Sequence, residues 1–332
     1  MDNLTHSLVG AVLGQAGLKK TTGLAMPALI IGANLPDVDS ACFFWLEGTE
    51  HLGFRRGITH GPPALVLLPL VLAGLLWGWD RWQTQRGTRP EARLPVRFGW
   101  LYAMAFIGCL SHPFFDWLNV YGIRLLEPFS SQWFYGDTLF IIDPWLWSLL
   151  IASVWVSRRR EKAGGEWMRP ARVGIAVGLA YIGVNGAITH TARDQVGRHF
   201  SDGHHNAPVI VSPVPLAFWE RETIRTALAG REPPRVGPVY RFGRWTPAEG
   251  LRGEIGQGDA PCAWPAFTAL RRTNSQLDAF LFWSRVPVVE RAPDGSVILY
   301  DARYSDPRAR DRFSVALPDV KCETLGEEPT AP

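Results

Sequence analysis

The sequence predicts an α-helical integral membrane domain of about six segments, followed by a small, mostly β extracytoplasmic domain. Two observations carry this. Up to about residue 188 long apolar runs alternate with short basic loops; from His190 onward the chain is polar, rich in Pro and Arg, with short alternating runs. The whole-chain values (332 residues, 47% hydrophobic, 15 Trp, net charge +3) average the two parts away. The division falls near 189, giving a membrane domain over 1–189 and a soluble domain over 190–332.

The first segment, MDNLTHSLVGAVLGQAGLKK, has an acidic start and carries its lysines after the apolar stretch, the reverse of a secretory signal. It and the next, 23–35, are short and Gly-rich, which suits half-buried or tilted helices better than lipid-facing spans. The run PPALVLLPLVLAGLLWGW at 62–79 holds 18 residues without a charge, enough to span at ~1.5 Å per residue. Apolar segments at about 98–118, 141–157 and 171–188 complete the six. Beyond His190, APVIVSPVPLAFW, AFLFWSRVPVVER, SVILYDARY and RFSVALPD alternate in the manner of strands, between turns of Pro, Gly and Asp. An external location would let Cys262 and Cys322 close a disulfide. His199, His204 and His205, around FSDGHHNAP, lack a second ligand pair at zinc-finger spacing and read as a solvated loop.

Loop charge sets the sidedness. Residues 80–97 carry five Arg, and 158–172 carry five Arg and one Lys. Two crossings separate these loops, so they share a side, and their positive excess makes it the cytoplasm. Lys19 and Lys20 join them if every segment crosses. Counting outward puts the loops 36–61 and 119–140 and the C-terminal domain outside a multi-pass plasma (inner) membrane protein. The balance of 34 Lys+Arg against 31 Asp+Glu, with no basic block interleaved with aromatics, argues against nucleic acid as a partner. Membrane lipid is the expected partner; the sequence singles out no protein partner.

The stretch SHPFFDWLNVYG places His112 and Asp116 on one helix face, about 6 Å apart, at the end of an apolar run. An ionisable pair at that depth is costly unless it faces a cavity, a partner or a metal. His6 in NLTHSL, Asp37 and Asp39 in NLPDVD, and His60 in RRGITHG fall at the same external level. Singly, each has a plain reading: an interfacial histidine for His6, turn or cap residues for Asp37 and Asp39, a loop histidine for His60. Jointly they form the donor set of a hydrolytic metal site, where a metal lowers the pKa of water toward ~7 and polarises a substrate oxygen. The four cysteines form no CxxC pair, so His and carboxylate point to a divalent metal: zinc first, with manganese or iron as alternatives. More than four ligands would admit two metals about 3.5–4 Å apart.

Arg55 and Arg56 stand outside, against the charge trend. Arg56 is the candidate to hold a phosphate or stabilise transition-state charge; a headgroup anchor is the plainer reading for either. His51 reads as an ordinary loop histidine. Asp143, before Pro144, either caps the next helix or supports the site as a catalytic or ligand-orienting carboxylate; Asp137 reads as structural. The aromatic loop containing Trp133, Phe134 and Tyr135 reads as an interfacial lid.

RGITH, LSHPFFDWLNVYG, PFSSQW and DTLFIIDPW, preceded by LPDVD, resemble the membrane-bound metal-dependent hydrolase family typified by YdjM, over about residues 1–190. FWSRVPVVER and VILYDARY resemble, more loosely, a tail found in some members. The family is thought to be distantly similar to zinc-dependent phospholipase C and P1-type nucleases, which are helical and bind metal through His and Asp. The resemblance implies functional roles for His6, Asp37, Asp39, Arg56, His60, His112 and Asp116. One departure stands out: many members have His where this chain has Arg55, which removes one ligand candidate unless His51 replaces it.

The expected function is a membrane hydrolase whose metal-activated water attacks a phosphoester, in a lipid or other envelope substrate. The alternative is a non-catalytic metal-binding scaffold or sensor with an envelope partner. A metalloprotease is disfavoured because no HExxH occurs.

Overall fold

In the computed structural model, the described residues are 1–199, 209–227, 239–256, 262, 265–304 and 310–323. They fall into two compact units. The first comprises 1–39, 56–189 and 213–219, and the second 40–55, 190–212 and 220 onward.

Six helices build the first unit: α1 (Asn3–Gln15), α2 (Ala25–Gly32), α4 (Pro62–Gln85), α5 (Phe98–Trp117), α6 (Pro144–Lys162) and α7 (Met168–His199), the last running on into the second unit. The helix starts follow capping chemistry. Asp2 accepts the Leu4 and Thr5 amides at the start of α1, and Pro stands in the first turn of α4 and of α6. Among the described residues three helices are long and apolar enough to cross a membrane: α4, α5 and Met168–Arg198 of α7. The six expected segments are thus present as helices, three of them of spanning length and composition. With 13 and 8 residues, α1 and α2 reach only ~20 and ~12 Å, short of a ~30 Å hydrocarbon core. Helix α6 has 19 residues, but its last turn holds Arg159, Arg160 and Lys162.

The two short helices pack against α5 and bury Val12, Ala28, Leu29, Met104 and Ala105. Gly10 on α1 and Gly108 on α5 flank the Leu29 carbonyl of α2; a Cβ would stand 2.7 or 2.5 Å from that oxygen. Only glycine allows this backbone approach, which is how small residues pack membrane helices. The outward faces of α4 and α7 expose Val66, Leu67, Val71, Leu75, Val177 and Leu179.

The basic turns lie together at one end of this unit. Lys19 Nζ is 2.6 Å from Glu161 Oε1 and 4.2 Å from the Trp167 ring, and Arg172 Nε donates to the Ala16 carbonyl at 2.9 Å. Thr22 receives the Arg97 amide at 2.8 Å. Lys19/Lys20, 80–97 and 158–172 therefore meet, as the loop-charge argument required. His6 is at the opposite end of α1.

Among its described residues the second unit has two sheets, β1–β2–β3–β4 and β5–β6–β7. Their strands are Val209–Pro213, Arg221–Ala227, Val239–Thr246 and Gly250–Gly256, then Pro287–Arg291, Ser296–Asp301 and Ser314–Lys321. The pairs β2/β3, β3/β4, β5/β6 and β6/β7 run antiparallel. Two short helices, α8 (Phe267–Leu270) and α9 (Ser275–Trp283), lie between the sheets in sequence, and a Cys262–Cys322 disulfide ties the unit. Within AFLFWSRVPVVER only PVVER is strand. Asn274 caps α9 through the Leu277 amide at 2.9 Å, and Leu277, Phe280 and Trp283 are buried at helical spacing. Helix α3 (Glu50–Phe54), from the loop between the two N-terminal motifs, packs on α9: Thr49 Oγ1 donates to the Gln276 carbonyl at 2.8 Å. His204, His205 and the side chain of His199 lie outside the described residues.

Candidate metal centre

The centre is assembled from helix ends. Helix α5 carries His112 and Asp116 one turn apart near its C-terminus; α1 contributes His6 from its first two turns. The 3₁₀ segment Leu35–Phe44 after α2 supplies Asp37 and Asp39, and the 3₁₀ turn Ile58–His60 before α4 supplies His60. One ligand atom from each of Asp37, His60, His112 and Asp116 lies within 4.8 Å of the others. All four residues are buried. His112 Nε2 is 3.5 Å from Asp116 Oδ2 and 3.8 Å from Asp37 Oδ1, and His60 Nε2 is 3.6 Å from Asp116 Oδ2.

Both imidazoles are aimed by their other nitrogen. His112 Nδ1 donates to the Ala33 carbonyl at 2.7 Å. His60 Nδ1 lies 2.9 Å from Thr59 Oγ1 and 3.6 Å from Asp39 Oδ2. This leaves each Nε2 facing the cluster, the arrangement by which outer carbonyls and carboxylates orient ligating histidines. Burial pushes His60 below its ordinary value, which keeps it neutral, the form that ligates. His60 Nε2, His112 Nε2, Asp116 Oδ2 and both His6 nitrogens are buried without a hydrogen-bond partner. Each orphaned imidazole nitrogen costs ~1–3 kcal/mol, and a cation among them removes that cost. The donor set of two imidazoles and two carboxylates fits a divalent metal of the zinc, manganese or iron class.

His6 and Asp39 lie beside these four. His6 stacks on His112 with ring centroids 3.8 Å apart, and its Nε2 is 3.3 Å from Asp116 Oδ1. The Met1 amino group also contacts Asp116 Oδ1. Asp39 Oδ2 accepts the Arg56 amide at 2.7 Å and the Thr59 hydroxyl at 3.2 Å, so it organises the turn bearing Arg56 and His60. Arg56 Nε stands 3.0 Å from Asp116 Oδ2. The Arg56 backbone is left-handed, at φ 55°, a conformation of order 1–3 kcal/mol for a non-glycine residue. The Asp39 bond on its amide and the Arg124 amide on its carbonyl (2.9 Å) hold it there.

Asn119 was not legible as a site residue. Its Oδ1 accepts from Arg56 Nη1 at 3.1 Å and from the Tyr121 amide at 2.8 Å. The Gly122 carbonyl takes a second Arg56 bond at 3.3 Å, and the Tyr121 ring lies 4.5 Å from the guanidinium. Gly122 has φ 92°, and a Cβ there would run into the Tyr135 ring, so glycine is required. The only signal in the sequence is position: Asn119 follows Asp116 by three.

The remaining candidates are not among the four clustered ligands. Asp143 caps α6: Oδ1 accepts the Leu146 amide at 2.9 Å and Oδ2 the Tyr181 hydroxyl at 3.0 Å. Burial pushes its carboxyl above the ordinary value. The Asp137 carbonyl accepts the Thr189 hydroxyl at 2.8 Å. His51 bonds the Gly48 carbonyl at 2.7 Å, and Arg55 lies over the Phe43 ring at 5.6 Å; neither is among the four clustered ligands. In the aromatic loop Trp133 stacks on Tyr135, with Arg124 5.1 Å from its ring.

Comparison with known proteins places the helical part. No curated protein and no solved structure matches the chain significantly. The sequence profile of the YdjM inner membrane proteins matches residues 1–192, more than half of the chain and the whole stretch that supplies the centre. The chain thus belongs to the YdjM inner membrane protein family.

Proposed function

We propose that the chain is a metal-dependent hydrolase of the inner membrane that cleaves a phosphoester in a lipid or other envelope substrate. The observation that carries this reading is the convergence of Asp37, His60, His112 and Asp116, with both imidazole Nε2 atoms buried and unbonded, beside the Arg56 guanidinium. A divalent metal bound there, zinc first, supplies Lewis-acid polarisation and activates water at neutral pH. Asp37 and Asp116 provide anionic oxygens, and the Ala33 carbonyl and Thr59 hold the two histidines in the ligating orientation. Arg56, fixed by Asn119 and the Gly122 carbonyl, offers a planar guanidinium to phosphate oxygens as negative charge develops.

The position of His112 and Asp116 at the end of an apolar helix favours a lipid headgroup over a freely soluble ester. The Cys262–Cys322 disulfide, suited to an oxidising compartment, supports an external C-terminal domain, as does the gathering of the basic turns away from His6. A reporter fused after Thr191 is expected outside the cytoplasm, and one within 80–97 inside; cytoplasmic signal at both positions would contradict this.

The functional test is release of phosphorylated headgroups from mixed lipid vesicles by the metal-loaded protein. Wild type should release them and His60→Ala should not. With metal bound, no release from phospholipids or polyprenyl phosphates would convert the reading to a non-catalytic metal-binding scaffold or sensor.

A further inference from the structure

We infer that a cavity among α1, α5, α6 and α7 is a binding site for the hydrocarbon tail of a membrane lipid. Its assignment to the substrate's own tail rests on the proposed action at a lipid headgroup. The cavity measures about 160 Å³, and Val9, Val12, Phe115, Leu150, Ile175 and Ile182 contribute to its walls. Its one hydroxyl, on Ser111, is spent on the Gly108 carbonyl at 2.6 Å, so nothing in the walls calls for water. Apolar cavities of ~150 Å³ stay dry and accept hydrocarbon.

Two further observations name the occupant. Phe114 and Leu179 line the cavity yet are 42% and 56% exposed, on two of the helices able to span a membrane. The mouth is therefore continuous with the lipid-facing surface of an inner membrane family protein, where acyl chains are the surrounding solvent. The inner end adjoins the centre in sequence: Phe115 lies between His112 and Asp116 on α5, and Val9 lies three residues from His6 on α1. A tail seated here belongs to a lipid whose polar end is at the level of the metal ligands.

Gly178 provides the means to close the cavity. A Cβ there meets only Leu149 and Leu146, at 3.7 and 4.0 Å, so a larger side chain has space to enter. The test uses full-length protein in vesicles containing phosphatidylglycerol with a photoactivatable diazirine in one acyl chain, followed by peptide mapping. Labels are expected on Val12, Phe115 and Ile175 in wild type. Gly178→Phe should remove those labels while labelling of the outward Leu67 and the metal content stay unchanged. Ile182→Trp, filling the cavity from another position, repeats the test if Gly178→Phe does not fold. Labels confined to outward faces, equal labelling in the filled variants, or protein–protein crosslinks through Phe114 and Leu179 would overturn the proposal. His112→Ala keeps the two readings apart: it should lose metal and hydrolysis but retain tail labelling. Tail labelling in a wild type that hydrolyses no lipid would leave this site standing and remove the headgroup reading.

Discussion

Asp116 and Asp301 are both fully buried carboxylates, at the end of α5 and the end of β6, and their surroundings are opposite in kind. Asp301 is saturated. Arg303 grips it through Nε and Nη2, each at 2.8 Å; Ser284 Oγ donates at 2.6 Å, and the Arg285 and Val286 amides at 3.0 and 3.3 Å. Burial pushes its carboxyl up, but the Arg303 guanidinium and these donors outweigh burial and hold it below its ordinary value. Asp116 has the Arg56 guanidinium and the Met1 amino group beside it, and three histidines whose facing nitrogens lack hydrogen bonds. Burial alone is thus no sign of function. A buried charge with its donors in place holds a fold together, whereas a buried cluster with orphaned ligand atoms is built for something added to it.

The sharpest way to break this comparison is to remove the carboxylate from each region. Asp116→Ala should strip most of the divalent metal from purified protein and abolish turnover, with helix content unchanged by circular dichroism. Wild-type metal content in that variant would undo the contrast. Asp301→Asn should leave metal content intact and destabilise the second unit by about 3–5 kcal/mol, the usual cost of breaking a buried ion pair. Its folded pKa lies below the unfolded value of about 3.9. The contribution is therefore complete above that pH and fades as pH falls through the folded value. Thermal melts followed by tryptophan fluorescence should separate wild type and variant at pH 7 and bring them together in acid; a separation that persists in acid would refute the ion-pair account.

Within the centre the expected effects shrink with distance from the ligands. Arg56→Lys should keep metal and lose turnover by ~10²-fold, because an ammonium cannot hold Asp116, Asn119 and the Gly122 carbonyl and still present a donor to phosphate. Unchanged turnover would reduce Arg56 to a headgroup anchor. Asn119→Ala loosens only the support of that guanidinium and should cost about tenfold in turnover, with metal unaltered. The mildest change is Asp143→Asn, which perturbs the cap of α6 for at most ~1 kcal/mol and leaves turnover intact. A hundredfold fall in turnover there would return Asp143 to the mechanism.

The legible parts of the site were those with a local anomaly. His112 and Asp116 declare themselves because a charged pair one turn apart does not belong in an apolar helix, and Arg56 because it defies the loop-charge trend. Asp37 and His60 were legible only as company at the same level. Asn119 was not, since an amide after a helix end has an ordinary meaning in turns. The lengths of α1 and α2 were hard to judge because a short apolar run does not state where its helix ends. AFLFW satisfied both strand and helix, and the Asn274 cap decided between them. That 40–55 belongs with the second unit depends on bonds such as Thr49 to Gln276, across more than two hundred residues, which leave no local pattern.

The central claim is that Asp37, His60, His112 and Asp116 hold a divalent metal. X-ray absorption at the metal edge of the purified full-length protein tests it most directly. The account predicts a shell of nitrogen and oxygen only, at about 2.0–2.2 Å, with the outer scattering of two imidazoles. Metal-free protein after metal loading, or a sulfur shell at about 2.3 Å, would contradict it.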